Sequence, residues 1–207
     1  MQTSVESMRV GRFSREVFWN PPNVLTFSRI AACPILLFYP FFNGPVGSAV
    51  FGIGFLLIAL TDLLDGYLAR SRGMVTRLGK LLDPLADKLL VTTALVVLVA
   101  MENRIPLWAL PMVVAILGRE LAVTGLRAMA SAEGVVIAAD RLGKWKTGFQ
   151  TAAITCLFLH HEDPVWNWIL MHWIGMFLLF VATVLAVWSG YAYFAAYLGA
   201  REEPVTR

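Results

Sequence analysis

Six apolar stretches leave this 207-residue chain few folds to choose from; they run at roughly 24–42, 46–70, 78–101, 105–130, 141–160 and 165–198. Each is close to the ~20 residues that an α-helix needs to cross the hydrocarbon core of a bilayer. Water is absent there, so a spanning segment has to satisfy its own backbone N–H and C=O groups, which favours helices. The expectation is an all-α membrane protein, a six-transmembrane-helix bundle. Composition agrees: 58% of residues are hydrophobic and 15% charged, more apolar than an ordinary soluble globule. The breaks between stretches are chemically plain: Asn43-Gly44-Pro45, Glu102-Asn103-Arg104 with Pro106, and His161-Glu162-Asp163-Pro164. Neither a tandem repeat nor a low-complexity linker divides the chain. Residues 21–200 therefore read as one domain between a leader, 1–20, and a tail, 201–207.

The distribution of Lys and Arg orients the bundle. Of the 17 basic residues, all but Lys88 and Arg104 fall in the leader, the tail, or the loops and helix ends on their side. The positive-inside rule puts that side, with both termini, in the cytoplasm. In the leader, Arg9, Arg12 and Arg15 are interspersed with Met8, Phe13, Val17, Phe18 and Trp19. Such a mixture suits either a short interfacial helix on an anionic leaflet or a frayed polar arm. It lacks the small-residue cleavage site of a secretory signal. After Asn20-Pro21-Pro22, Asn23 is expected to cap the first span. Cys33 and Cys156 stand alone in apolar segments and read as small buried hydrophobes rather than a disulfide. Gly47, Gly52 and Gly54 in the second span, like Gly175 and Gly190 in the sixth, read as close-packing positions.

Residues 61–90 hold four aspartates, Asp62, Asp65, Asp83 and Asp87, between otherwise apolar segments. At about 3.6 residues per turn, Asp62, Asp65, Gly66 and Ala69 share roughly a third of one helix's circumference. Gly79, Asp83 and Asp87 align one turn apart on the next helix. Carboxylates embedded in a membrane are costly unless something cancels their charge. A divalent cation would do so, and oxygen-only ligands favour Mg²⁺, Mn²⁺ or Ca²⁺ over zinc. Pro84 either follows an N-cap at Asp83 or lies within a helix that begins near Thr76.

Cations gather on the same face. Arg70, Arg72, Arg77 and Lys80 lie in the first inner loop, Arg119 and Arg127 near the end of the fourth span, and Arg141, Lys144 and Lys146 at the start of the fifth. Positive-inside topology by itself accounts for Arg72, Arg77, Arg201 and Arg207. It accounts poorly for Arg119, which sits deeper, beside Glu120. A carboxylate–metal centre ringed by cations suits a phosphorylated substrate and predicts a cytoplasm-facing active site.

The pattern Asp62-x-x-Asp65-Gly66-x-x-Ala69-Arg70, then Gly79-x-x-x-Asp83-x-x-x-Asp87, resembles the signature of the CDP-alcohol phosphatidyltransferases at every fixed position. Pro22-Asn23-x-Leu25-Thr26-x-x-Arg29 looks like that family's N-terminal segment. At 78–90, 118–127 and 141–147 the chain looks like the bacterial members that make phosphatidylglycerophosphate; together these stretches cover most of residues 21–150. One departure is Gly118, where serine is expected before the Arg-Glu pair.

The resemblance implies a six-span enzyme of the bacterial cytoplasmic membrane. It would move the phosphatidyl group of CDP-diacylglycerol to a hydroxyl of sn-glycerol 3-phosphate and release CMP. It also implies that Asp62, Asp65, Asp83 and Asp87 bind one or two Mg²⁺ or Mn²⁺ ions against the donor pyrophosphate, with Asp87 taking the acceptor's proton. By the same resemblance Gly66, Ala69 and Gly79 leave room for the CMP moiety, and Arg70 pairs with a donor phosphate. Thr26 and Arg29 contact the nucleotide or brace the site, and a homodimer is implied. For the acceptor phosphate the candidates are Arg119, Arg127, Arg141 and Lys144, with Lys146 behind them, because a dianion beside the reacting centre calls for several cations. Glu120 would hold Arg119 in place.

Two other readings compete. A sibling enzyme would use another acceptor, such as inositol phosphate, serine or phosphatidylglycerol, and only 118–147 would tell them apart. A cation transporter would use the aspartates as an ion path, but they cluster at one face and no inverted repeat is visible. His160, His161, Glu162 and Asp163 resemble a ligand cluster, yet lie in the loop opposite the site. His172, near Trp168 and Trp173, reads as an interfacial anchor.

Overall fold

A computed structural model describes residues 21–42, 44–72, 77–101, 103–133, 141–161 and 168–202; within these, the side chains of 21–23, 25, 62–72, 77–81, 141–142, 168–169 and 200–202 are not described. The leader, the end of the tail and Glu162-Asp163 thus lie outside the described residues. Those described are all helix or turn. The α-helices are α1 Pro21–Leu36, α2 Pro45–Arg72, α3 Arg77–Val99, α4 Leu110–Ala132, α5 Arg141–Leu159 and α6 Trp168–Glu202, with 3₁₀ turns at Tyr39–Phe42 and Leu107–Ala109.

Two boundaries differ from expectation for local reasons, and a third, left open, takes one of its two forms. Helix α1 begins at Pro21, so Asn23 lies inside its first turn instead of capping it. Proline is tolerated there because the first N–H groups of a helix have no intrahelical acceptor. The first span does not run as one helix to 42. Pro40 offers no N–H and disfavours helical geometry at Tyr39. The chain tightens instead, with Phe38 N–H on the Ile35 carbonyl and Phe41 N–H on the Phe38 carbonyl, both at 3.0 Å. Of the two readings of Pro84, the longer helix is the one observed: α3 starts at Arg77 and continues through the proline.

Helix α5 packs along α6 and α2, α1 along α3, and α4 along α6. The core is apolar and closed: Leu95, Leu98, Ile116, Ile154, Leu157 and Leu179 have no exposed surface. Close approach needs glycine at Gly52, where a Cβ would lie 2.8 Å from Leu159, and at Gly175, where it would lie 2.8 Å from Leu157. Gly47, in the first turn of α2, is pressed against the Phe42 carbonyl of the preceding 3₁₀ turn. Gly54 departs from expectation, since a Cβ there would meet nothing within 4 Å. It faces an apolar cavity of about 180 Å³ bounded by Ala32, Leu36, Phe55 and Leu90.

The outside is apolar too. Val46, Val50, Ile53, Leu57 and Leu60 are exposed on α2, and Trp173, Phe177, Phe180, Val184, Val187 and Tyr191 on α6. Continuous apolar stripes of this kind are aggregation liabilities in water but fit lipid. Among the described residues, Leu107–Ala132 and Leu170–Gly199 are long and apolar enough to cross a membrane, and Thr26–Leu36 and Pro45–Thr61 are shorter apolar helices.

At the other end of α3 the structure turns a supposed loop charge into core. Arg104 is 1% exposed. Its Nη2 donates to Ser48 Oγ at 3.0 Å, and its guanidinium lies 5.4 Å from the centroid of the Tyr39 ring. The Tyr39 hydroxyl donates to the Phe158 carbonyl at 3.0 Å and sits 3.2 Å from the Ser48 hydroxyl. One cation therefore ties the turn after α3 to the turn after α1, the first turn of α2 and the last turn of α5.

Candidate active site

Helix α3 sets the position of the described carboxylates. Asp83 and Asp87, one turn apart, share a face of it. Asp83 is anchored from α1, where the Thr26 hydroxyl donates to Asp83 Oδ1. Thr26 is 1% exposed and Arg29, almost one turn later on the same helix, 4%. The Arg29 carbonyl accepts a weak bond from the Cys33 thiol at 3.3 Å. Both thiols are free, and Cys33 is buried. The side chains of Asp62, Asp65, Gly66, Ala69, Arg70, Gly79 and Arg141 lie outside the described set, although the helices that carry them are observed.

Asp87 is half-buried and stands within the electrostatic reach of Lys88 and Lys146. Those two lysines and Arg119 converge on a single acid. Glu120 on α4 pairs with Lys146 of α5, with Arg119 at 3.4 Å and with Lys88 of α3 at 3.9 Å. Lys88 also donates to the Thr124 hydroxyl, whose own proton goes to the Glu120 carbonyl at 2.6 Å. Three cations from three helices thus surround one carboxylate beside Asp87. Buried like charges repel unless an anion sits among them; Glu120 supplies that anion, and a phosphate would suit the same place.

The expectation that Glu120 holds Arg119 is met, but α6 does more of the holding. Arg119 Nη2 donates to Ser189 Oγ at 2.8 Å. A Cβ on Gly190 would lie 3.0 Å from Arg119 Cγ. Two turns further on, the Arg127 guanidinium lies 5.2 Å from the Tyr193 ring centroid, and its Nε donates to the phenol oxygen at 3.3 Å. Tyr193 and Tyr197 form a small second core with Val123, Leu126 and Ala130. The Tyr197 hydroxyl donates to Glu133 at 2.9 Å.

The structure places the two lysines of α5 differently. Lys146, ranked behind Lys144 from sequence, is 2% exposed and inside the cluster, while Lys144 is exposed. Residues two apart on a helix point about 200° from each other, so only one of the pair can face α4. Sequence reasoning missed Lys88 as a member of the cluster, Ser189 as a partner of Arg119 and Tyr193 as a partner of Arg127. The one available signal was Gly190, flagged as a packing position next to a serine in an otherwise apolar helix.

At the opposite end, His160 is buried and its ring lies 4.9 Å from that of His172, which in turn meets Trp173 edge-on at 5.9 Å. Among the described residues no three His, Cys, Asp or Glu side chains come together. Only Asp83 and Asp87 of the aspartate quartet are within that set.

Comparison with known proteins agrees with the motif. The family model described as CDP-alcohol phosphatidyltransferase matches residues 19–188. The chain is 40% identical to the CDP-diacylglycerol–glycerol-3-phosphate 3-phosphatidyltransferase of Bacillus subtilis (strain 168), over 86% of this chain and 94% of that one. It is 36% identical to the protein of the same name from Rickettsia bellii, with the same coverage of 86% and 94%. It is also 38% identical to a CMP-forming cardiolipin synthase from Oryza sativa, over 81% of this chain and 54% of that one.

Proposed function

The chain belongs to the CDP-alcohol phosphatidyltransferase family, and from that premise we propose that it transfers the phosphatidyl group of CDP-diacylglycerol to sn-glycerol 3-phosphate. The products are phosphatidylglycerophosphate and CMP, and the role is phospholipid synthesis. One observation carries this reading. Similarity to enzymes named for that reaction spans 86% of the chain, enough to include both the aspartate helices and the cation cluster.

The metal fits the donor set. Asp83 and Asp87 on α3, with Asp62 and Asp65 on α2, offer only carboxylate oxygens, which suits Mg²⁺ or Mn²⁺. When bound, one or two such ions supply positive charge against the donor pyrophosphate and the departing CMP. Thr26 fixes one oxygen of Asp83 and so holds its carboxylate in register, with Arg29 bracing α1 beneath it. Gly66, Ala69 and Gly79 keep the wall beside the cytidine low, and Arg70 pairs with a donor phosphate.

Asp87 accepts the proton of the acceptor hydroxyl. That oxygen forms a bond to the phosphatidyl phosphorus while the P–O bond to CMP breaks. Arg119, Lys146 and Lys88 hold the acceptor's phosphate, and Glu120 keeps these cations spaced before the anion arrives. Arg127, Lys144 and Arg141 draw the dianion in from the cytoplasm. The enzyme spans the bacterial cytoplasmic membrane six times as a homodimer, with both termini and the site on the cytoplasmic face.

A second reading is favoured by the similarity to the rice enzyme: phosphatidylglycerol as the acceptor. The cation cluster weighs against it, because three cations beside Asp87 suit the dianion of a phosphate monoester better than the singly charged phosphodiester of phosphatidylglycerol. Purified protein in detergent, given CDP-diacylglycerol and Mg²⁺ or Mn²⁺, should release CMP with sn-glycerol 3-phosphate. It should not do so with phosphatidylglycerol, inositol phosphate or serine. A chelator should abolish release and either metal restore it. Release with phosphatidylglycerol alone would transfer the conclusion to the second reading.

A further inference from the structure

Helix α6 carries no Lys, Arg, Asp or Glu between Trp168 and Ala200, yet it touches the cation cluster at one step. The Ser189 hydroxyl is 1% exposed and donates its proton to the Ala186 carbonyl at 3.2 Å. Its lone pairs therefore face the cluster as an acceptor, and Arg119 Nη2 takes that place at 2.8 Å. The next residue, Gly190, leaves just enough room for the arginine stem, whose Cγ would stand 3.0 Å from an added Cβ. One end of the Arg119 side chain is held by a hydrogen bond and the other by a steric floor, both from adjacent residues of α6. Glu120 fixes it less tightly, since that carboxylate is shared with Lys146 and Lys88.

We propose that the Ser189–Gly190 step is a seat for Arg119 that sets how far from Asp87 an acceptor phosphate is held. Ser189 and Gly190 are thereby positioning residues for acceptor selectivity. This rests on the reading that Arg119 binds the acceptor phosphate. The reacting hydroxyl and the phosphate of a small acceptor are only a few bonds apart, so the distance from cation to base decides which acceptors fit. A displacement of ~1 Å at such a site costs about 100-fold. The competing role for a buried serine in a membrane helix is glue between helices, and it would not distinguish one substrate from the other.

The test is steady-state CMP release by the full-length protein in detergent. Glycerol 3-phosphate is varied at saturating CDP-diacylglycerol and the reverse, with thermal melting of every variant. S189A and G190A should each raise the KM for glycerol 3-phosphate roughly 10-fold and leave the KM for the donor unchanged. S189T, which keeps the hydroxyl, should return the KM to near the parent value. In an R119A background, S189A should add nothing.

Equal changes in both KM values, or an effect of S189A that adds to R119A, would make Ser189 structural glue and overturn the proposal. Should S189A fail to fold, G190A decides alone, and an unchanged acceptor KM there overturns it. If R119A itself leaves the acceptor KM unchanged, the phosphate role of Arg119 fails and the seat with it. If R119A raises that KM while S189A and G190A do not, only the seat fails.

Discussion

Asp87 and Glu120 are both acids among cations, but they do different work. Asp87 is half-buried and stands within the electrostatic reach of Lys88 and Lys146; as the proposed base it should be replaceable in shape but not in function. Asp87→Asn is expected to lower turnover by roughly 10²–10⁴-fold while CDP-diacylglycerol still binds in an equilibrium assay. Unchanged turnover would remove it from the mechanism. Glu120 is the counter-charge of a lysine that is 2% exposed. Glu120→Gln strips that partner and should destabilise the fold by about 3 kcal/mol, seen as a lower melting temperature in detergent. Added glycerol 3-phosphate should recover part of the loss, because its phosphate can replace the missing charge. A variant that melts like the parent would mean the pairing contributes nothing. The aspartates and arginines were legible as residue types at fixed spacings. That Lys146 faces inward and Lys144 outward was not, because helix phase relative to a neighbour is a tertiary property.

Glycines decide how closely the helices lie, and they do not all act alike. A methyl at Gly175 would press to 2.8 Å on Leu157, whereas one at Gly54 meets nothing within 4 Å. Gly175→Ala should cost about 1–3 kcal/mol through overpacking, lowering the melting temperature by a few degrees. Gly54→Ala should be neutral or stabilising by up to ~1 kcal/mol, since alanine is the better helix former. Similar melting shifts for the two would contradict the packing of α5 on α6. Gly47, Gly52, Gly54, Gly175 and Gly190 all carried the same signal in the sequence. Their difference comes from which helix lies opposite, and a one-dimensional pattern of small residues does not encode that. Proline was read unevenly: Pro84 left two readings open, of which the structure has the longer helix, and a first span drawn to 42 ran past Pro40, before which α1 has already ended.

Across the whole molecule, chemistry and anchoring occupy opposite ends. Asp87 lies about 18 Å along α3 from Val99, beyond which Arg104 closes the far end through Ser48 and the Tyr39 ring. Arg104→Ala should cost about 3 kcal/mol, because buried hydrogen-bond acceptors lose a charged donor. The KM values for both substrates should stay as they were; a selective rise in either would mean the two ends are coupled. By itself the sequence determined the all-helical class, the family, the aspartate motif and the end of the bundle where charge collects. These follow from runs of apolar residues and from spacings of 3 and 4 along a helix, which are local quantities. Tertiary structure alone decided that three cations from three helices share Glu120, that α6 seats Arg119, and that the arginine in the turn after α3 is core. Each of those facts depends on which faces of distant helices meet, and hydrophobic segments of similar composition can be packed in many orders without altering the pattern of any one of them.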